Sequence, residues 1–229
     1  MSLQDRLESV NERITRAAER SGRKREDITL IAVTKTYAPE VINEAIDWGI
    51  TDIGENKVQE VMNKYDFVKN ADWHLIGHLQ SNKVKYIIDK VKLIHSVDSI
   101  KLLDEIERQA VKHGIQKDVL IQVNISGEAT KFGIKTEEVE QFMEYAAKLT
   151  SVKIKGLMTI APKVDDGVAN ILHFDNINRI FLDIKAKKYD NVSMEYLSMG
   201  MSGDFENAIE HGANMVRVGS AIFGERKYV

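Results

Sequence analysis

The chain has 229 residues, 43% of them hydrophobic and 29% charged, ordinary values for a globular protein with a full core. A formal charge of −3, with no polybasic block to overturn it, offers no global attraction to nucleic acid or to an anionic membrane. The absence of cysteine excludes a disulfide framework, a thiolate zinc site and a cysteine nucleophile, and it fits a reducing compartment.

The first 21 residues read as an amphipathic helix, because Leu3, Leu7, Val10, Ile14 and Ala17 recur at helical spacing. Its apolar residues are spaced rather than continuous, unlike a signal peptide, and Asp5, Glu8 and Glu12 argue against a transit peptide. No stretch is apolar and long enough to span a membrane. The expectation is a soluble cytoplasmic protein.

Eight short apolar runs follow, predicted as strands at 28–35, 52–56, 73–78, 93–97, 118–125, 154–161, 194–199 and 215–219. Amphipathic segments lie between them, such as Ile100, Leu103, Ile106 and Ala110. Gly49, Gly114 and Gly212 end three of these segments, at the left-handed cap position that glycine adopts without steric penalty. Pro39 fits the first turn of a helix, and Pro162 follows the sixth strand. Eight strands with intervening helices predict an α/β fold, a TIM (β/α)8 barrel over 28–224 preceded by the extra helix at 1–21. The alternative, an open doubly wound sheet, usually has fewer strands and would show a Gly-x-Gly-x-x-Gly turn that is missing after the first strand. No linker or shift of composition divides the chain, so residues 1–229 read as one domain.

Barrels carry function at the carboxyl ends of their strands. The first strand ends at Lys35, where partial desolvation would lower the amine pKa and ready it to attack an aldehyde. The alternative is a lysine that reaches solvent or pairs with a carboxylate. Asn56 closes the second strand, suited to a ligand or simply to the strand end. His74 and His78, four apart on one strand, are separated by ~13 Å and cannot share an ion. His113 and His211 sit at helix C-termini, where the dipole favours imidazolium. His78 and His95 have no obvious partner in the sequence, and no metal site is expected. Met158, Met199 and Met201 read as adaptable packing.

The seventh strand runs into Ser198, Gly200, Ser202 and Gly203, and the eighth into Gly219 and Ser220. Small residues let backbone amides approach an anion, and hydroxyls add donors. Phosphate commonly binds after strands seven and eight of a barrel. Closure places strand one beside strand eight, so Lys35 and this cradle lie on the order of 10 Å apart. That spacing suits a flat ligand with an aldehyde at one end and a phosphate at the other, and pyridoxal 5'-phosphate (PLP) is the obvious candidate. Arg217, two residues before Gly219, shares its side of the strand and could face the ring nitrogen. Arginine only donates, so that nitrogen would be an acceptor and the ring a weak electron sink. A salt bridge from Arg217 to Glu55 is the alternative.

Several longer segments then carry a resemblance. They are 32–35 (AVTK), 54–60 (GENKVQE), 74–83 (HLIGHLQSNK), 123–126 (VNIS), 156–160 (GLMTI), 197–202 (LSMGMS) and 216–224 (VRVGSAIFG). On these the chain is similar, over nearly its whole length, to the pyridoxal phosphate homeostasis proteins, once called proline synthetase co-transcribed proteins. The resemblance implies a PLP-binding barrel like the N-terminal domain of alanine racemases and a Schiff base on Lys35. It implies phosphate contacts from Ser198, Ser202, Gly219 and Ser220, with Arg217 near the pyridine nitrogen. Position 220 is often threonine in relatives, which keeps the hydroxyl. Segment 128–133 departs from many relatives by having Phe132 in place of serine. Lys131 beside it is either a secondary amine for PLP or a solvated loop lysine.

Alanine racemases add a second domain whose tyrosine is the opposite-face base, and here the barrel accounts for the entire chain. The expectation is therefore a carrier that buffers or delivers PLP, not an enzyme, with PLP-dependent apo-enzymes as recipients. A PLP-dependent amino-acid racemase or weak lyase using the same lysine is the alternative, and a Schiff-base aldolase on a sugar phosphate is a further one. No nucleic acid or membrane partner is expected, and the chain should be a monomer or weak dimer.

Overall fold

A computed structural model describes residues 1–128, 130–162 and 167–224. Ala129 of the divergent segment and the last five residues of the expected domain lie outside the described residues.

Eight parallel strands close a barrel in chain order. They are β1 (Thr29–Val33), β2 (Asp52–Glu55), β3 (Asp72–Leu75), β4 (Leu93–Val97), β5 (Lys117–Gln122), β6 (Val152–Met158), β7 (Val192–Ser198) and β8 (Met215–Val218). β1 completes the ring against β8, with Ile31 beside Arg217 and Ala32 beside Val218. On its other edge β1 sets Val33 beside Gly54. This is the TIM barrel expected from the sequence.

The helices around it are α1 (Leu3–Arg20), α2 (Pro39–Asp47), α3 (Val58–Lys64), α4 (Ile100–His113), α5 (Val139–Ala146), α6 (Ile171–Lys187), α7 (Phe205–Glu210) and α8 (Ser220–Phe223). Between β3 and β4 the crossover is a 3-10 helix, Ser81–Tyr86. Ser2 and Asp5 form a capping box that starts α1, and its buried face is Leu3, Leu7, Val10, Ile14, Ala17 and Ala18. Pro39 opens α2, where its missing N–H is not needed. Gly114 ends α4 in the left-handed conformation.

Several predicted strands outrun the real ladders at the carboxyl end, by residues 34–35, 76–78, 123–125 and 159–161. The first residue of each run still donates to the neighbouring strand (Thr34 to Gly54 O, Ile76 to Glu55 O, Val123 to Met158 O, Thr159 to Ser198 O), and the residues beyond it shape the barrel mouth. Two bulge-like register shifts bend β6 against its neighbours. Gly156 sits at both, with φ 148°, and a Cβ there would lie 1.8 Å from the Tyr196 carbonyl oxygen.

Most of the core lies between strands and helices. A smaller apolar cluster of Ile31, Leu93, Leu120, Met158 and Met215 fills part of the lumen. α1 packs across α7 and α8, the helices that follow the last two mouth loops. Arg6 Nε donates to Ile222 O at 2.6 Å, Arg23 Nη1 to Ala213 O at 2.8 Å, and Arg13 lies 4.5 Å over the Phe205 ring. Among the described residues no helix is long and apolar enough to cross a membrane.

Candidate functional site

Lys35 is half-buried in the loop just beyond β1, and the backbone on each side of it is clamped by α3. The Thr36 N–H donates to Glu60 Oε2 at 2.6 Å, and Lys64 Nζ donates to Thr34 O at 3.1 Å. Lys64 also reaches Glu55 Oε1 at 2.8 Å and Glu60 Oε2 at 2.9 Å, while Thr34 Oγ1 donates to Glu55 Oε1 at 2.8 Å. Burial pushes the Glu55 carboxyl up, outweighing Lys64 and Thr34. Glu60 feels burial too, but the Thr36 amide and Lys64 hold its carboxyl below the usual range. Thr36 adopts φ 72°, an unfavourable left-handed conformation for a β-branched residue.

On β7 and β8 the glycine-serine loops meet. Ser202 Oγ accepts from the Gly219 N–H at 3.1 Å and the Ala221 N–H at 3.3 Å. Two backbone donors thus converge on one oxygen, the arrangement an anionic oxygen needs. Ser220 beside them is exposed. Gly200 has φ 91°, and a Cβ there would come within 2.6 Å of Ala208 Cβ and 2.9 Å of Phe205 Cα. The Lys35 loop is tied to this cradle by Tyr37, whose ring stacks on Phe223 at 4.6 Å and whose hydroxyl donates to Gly224 O at 3.3 Å. Asn56 stands at the rim, lining a cleft that runs outward past His78, Gln80 and Lys83.

Arg217 lies inside the barrel just beneath the mouth and is only 4% exposed. Nη1 donates to Ser198 Oγ at 2.6 Å and Nη2 to Thr159 O at 2.8 Å, two of its five N–H bonds. Burial lowers the guanidinium to about 10, with Asp204 opposing. It makes no salt bridge to Glu55, which is held by Lys64 on the outer face of β2. Ser198 is enclosed, its hydroxyl in the lumen between Arg217 and His95 Nδ1 (3.1 Å) rather than beside Ser202. Strand alternation turns this last residue of β7 inward, so its hydroxyl faces Arg217 and His95, apart from the Ser202 oxygen on which the two amides converge.

Sequence reasoning passed over Glu60 and Lys64; it weighed His74 only as a metal ligand and saw no partner for His95. His95 Nε2 lies 2.9 Å from His74 Nδ1, and His74 Nε2 lies 3.0 Å from Asp52 Oδ1. His78, for which no partner was expected, faces Asp98 at 3.2 Å and stacks on Phe132 at 3.9 Å. Lys131 pairs with Glu128 at 2.7 Å. Among the described residues no three His, Asp or Glu side chains are grouped to hold a metal ion.

The donor set fits PLP: an amine at the mouth, converging amides for a phosphate and a buried guanidinium for a ring acceptor. Comparison with known proteins agrees with that chemistry. A pyridoxal phosphate homeostasis protein of Aquifex aeolicus is 46% identical over 230 residues, covering 100% of both chains. The chain belongs to the pyridoxal phosphate homeostasis protein family. Residues 6–227 also match the alanine racemase N-terminal domain family. Among solved structures, PipY of Synechococcus elongatus PCC7942 with PLP bound superposes with a TM-score of 0.83. It is 30% identical and covers 97% of this chain and 100% of that one. An alanine racemase of Clostridium difficile 630 superposes at 0.73 with 18% identity, covering 99% of this chain and 57% of that one, a likeness of fold alone.

Proposed function

We propose that this protein binds PLP as a Schiff base on Lys35 and serves PLP homeostasis by buffering or delivering the cofactor. The observation that carries the reading is the convergence of two backbone donors at Gly219 and Ala221, one strand over from the Lys35 loop and directly above the buried donors of Arg217. The PLP-bound relative of the same fold and family supports it. When bound, PLP supplies an aldehyde for the lysine amine and a ring that can accept electron density. Lys35 holds the aldehyde carbon. The amides of Gly219 and Ala221, with the hydroxyls of Ser202 and Ser220, take the phosphate, and Gly200 lets the backbone turn tightly enough to place Ser202. Arg217 donates to the ring nitrogen, Ser198 orients Arg217, and Asn56 borders the ring at the rim. A ring nitrogen facing a donor stays unprotonated, which suits holding the cofactor more than amino-acid chemistry. Residues 1–229 act as one unit, in the cytoplasm, with PLP-dependent apo-enzymes as recipients.

Borohydride reduction of the PLP-loaded protein followed by peptide mapping tests the assignment. A pyridoxyl group on Lys35, absent from Lys35→Ala, is expected. A protein that takes up no PLP, or an adduct only elsewhere, overturns it. The barrel shared with alanine racemases favours a second reading, a weak amino-acid racemase or lyase. Turnover of any member of an L-amino-acid panel, abolished in Lys35→Ala, would establish it.

A further inference from the structure

The interior of a (β/α)8 barrel is usually packed with branched apolar side chains. Here one unbroken hydrogen-bonded line crosses it, from Asp52 on β2 through His74 on β3, His95 on β4 and Ser198 on β7 to Arg217 on β8. Its four links measure 3.0, 2.9, 3.1 and 2.6 Å. His74 is 1% exposed, His95 and Ser198 are wholly buried, and Arg217 is 4% exposed, so the three inner links are closed to bulk water, while the Asp52 end is partly exposed.

The ends set the direction of every hydrogen bond. Arg217 can only donate, so Ser198 Oγ accepts from it. At the other end burial works against the Asp52 charge. Hydrogen bonds from His74 and Thr51, with Lys92 nearby, nevertheless hold that carboxyl below its usual range. An ionised Asp52 only accepts, so His74 carries its hydrogen on Nε2. With that hydrogen on Nε2 the His74 ring can accept at Nδ1, so His95 donates from Nε2 and His95 Nδ1 accepts the Ser198 hydroxyl hydrogen. Each donor in the line meets an acceptor. The reverse polarity leaves the Ser198 hydrogen without an acceptor in the line and puts a second proton on His74. It also makes His95 Nδ1 a donor beside a guanidinium.

Among the described residues Arg217 forms no direct ion pair; Asp204 acts on it without touching it, and a guanidinium this deeply buried gains from any further counter-charge. We propose that Asp52 is a second, remote counter-charge of Arg217, and that His74, His95 and Ser198 are positioning residues joining the two. They fix how the guanidinium presents its remaining N–H groups to the ring nitrogen of bound PLP. This rests on the PLP placement given above. Aligned hydrogen bonds polarise one another, so a change at the Asp52 end is felt at Arg217.

The test combines Asp52→Asn, which keeps an oxygen acceptor for His74 and removes the charge, with Arg217→Met. Ser198→Ala serves as a second variant that cuts the line in the middle. In the ligand-free protein, histidine 15N NMR should show His74 and His95 neutral with hydrogen on Nε2. Asp52→Asn should move the His95 signal, although the two residues do not touch. In protein loaded with ring-15N PLP, Asp52→Asn and Ser198→Ala should each shift the ring-nitrogen resonance and weaken PLP binding on the order of 3- to 10-fold. In an Arg217→Met background Asp52→Asn should add nothing further.

Equal effects of Asp52→Asn in both backgrounds, or none in either while Arg217→Met alone shifts the ring signal, overturn the proposal and leave the PLP placement standing. Ring-nitrogen resonances indifferent to Arg217→Met, with PLP still on Lys35, overturn the placement and the role drawn from it. The response of the ring signal to Arg217→Met tells the two failures apart, and the histidine signals test the line itself without PLP.

Discussion

Thr36 is the residue where the site stores strain. Its φ of 72° costs a β-branched side chain roughly 1–2 kcal/mol, and the Glu60 carboxylate holds it there by accepting its N–H. The neighbour on the strained side is Lys35, so on the proposed PLP assignment the strain fixes the backbone that carries the amine. Thr36→Gly should therefore raise stability by about 1 kcal/mol in urea unfolding while weakening PLP binding, because the relaxed loop samples other directions. A variant that binds PLP as tightly as the parent would show that Thr36 is irrelevant to aiming. The positions of Lys35 and Arg217 were legible in the sequence because each ends or nearly ends an apolar strand. Glu60 and Lys64 were not. Their partners at 34, 36 and 55 are set by how α3 lies against β1 and β2, which no local pattern encodes.

At the scale of elements, α3 acts as a clamp built around one buried ammonium. Lys64 is shared by Glu55, Glu60 and the Thr34 carbonyl, and its side chain is 10% exposed. Removing one partner of a buried pair strands the other charge. Lys64→Met should cost about 3 kcal/mol by thermal or urea unfolding. The double variant Lys64→Met with Glu55→Gln should recover part of that, since an amide tolerates burial better than an unpaired carboxylate. Equal losses in the single and double variants would mean that the charge of Glu55 plays no part. All eight strands could be placed from apolar runs, and only their mouth ends were overdrawn. The excess has a simple origin: Thr34 and Ile76 still donate to the neighbouring strand, so nothing local marks where the ladder stops and the rim begins. Ser198 was misplaced for a related reason. A loop reading grouped it with Ser202, whereas it is the last inward-facing position of β7.

For the whole molecule, the polar line makes stability depend on pH. Burial above all, with the Arg217 charge acting in the same direction, keeps the His95 imidazole neutral well below its usual range. In the unfolded chain the same group takes up a proton near pH 6.5. Below that pH the unfolded state binds more protons, so stability falls with pH until the folded pKa is reached. The expected loss from this group is about 1 kcal/mol between pH 6.5 and 5.5. Asp52, also depressed, adds a loss of the same sign at lower pH, in the carboxylate range. Urea midpoints at the two pH values should converge in His95→Leu relative to the parent. An unchanged pH slope in that variant would assign the effect elsewhere. The line itself was invisible in the sequence. Which inward side chains meet across a lumen depends on strand tilt and closure, and these emerge only when the ring is complete.

That last dependence gives the line a second use. The His95–Ser198 contact joins residues 103 apart in the chain. β2, β3 and β4 can pair early through short connections, but the serine arrives only with β7, and the guanidinium only with the strand that seals the ring. During refolding the His95 tautomer is therefore a clock for closure. An early barrel fragment would leave that imidazole free to choose its hydrogen, and the moment it commits marks the moment the last two strands have docked.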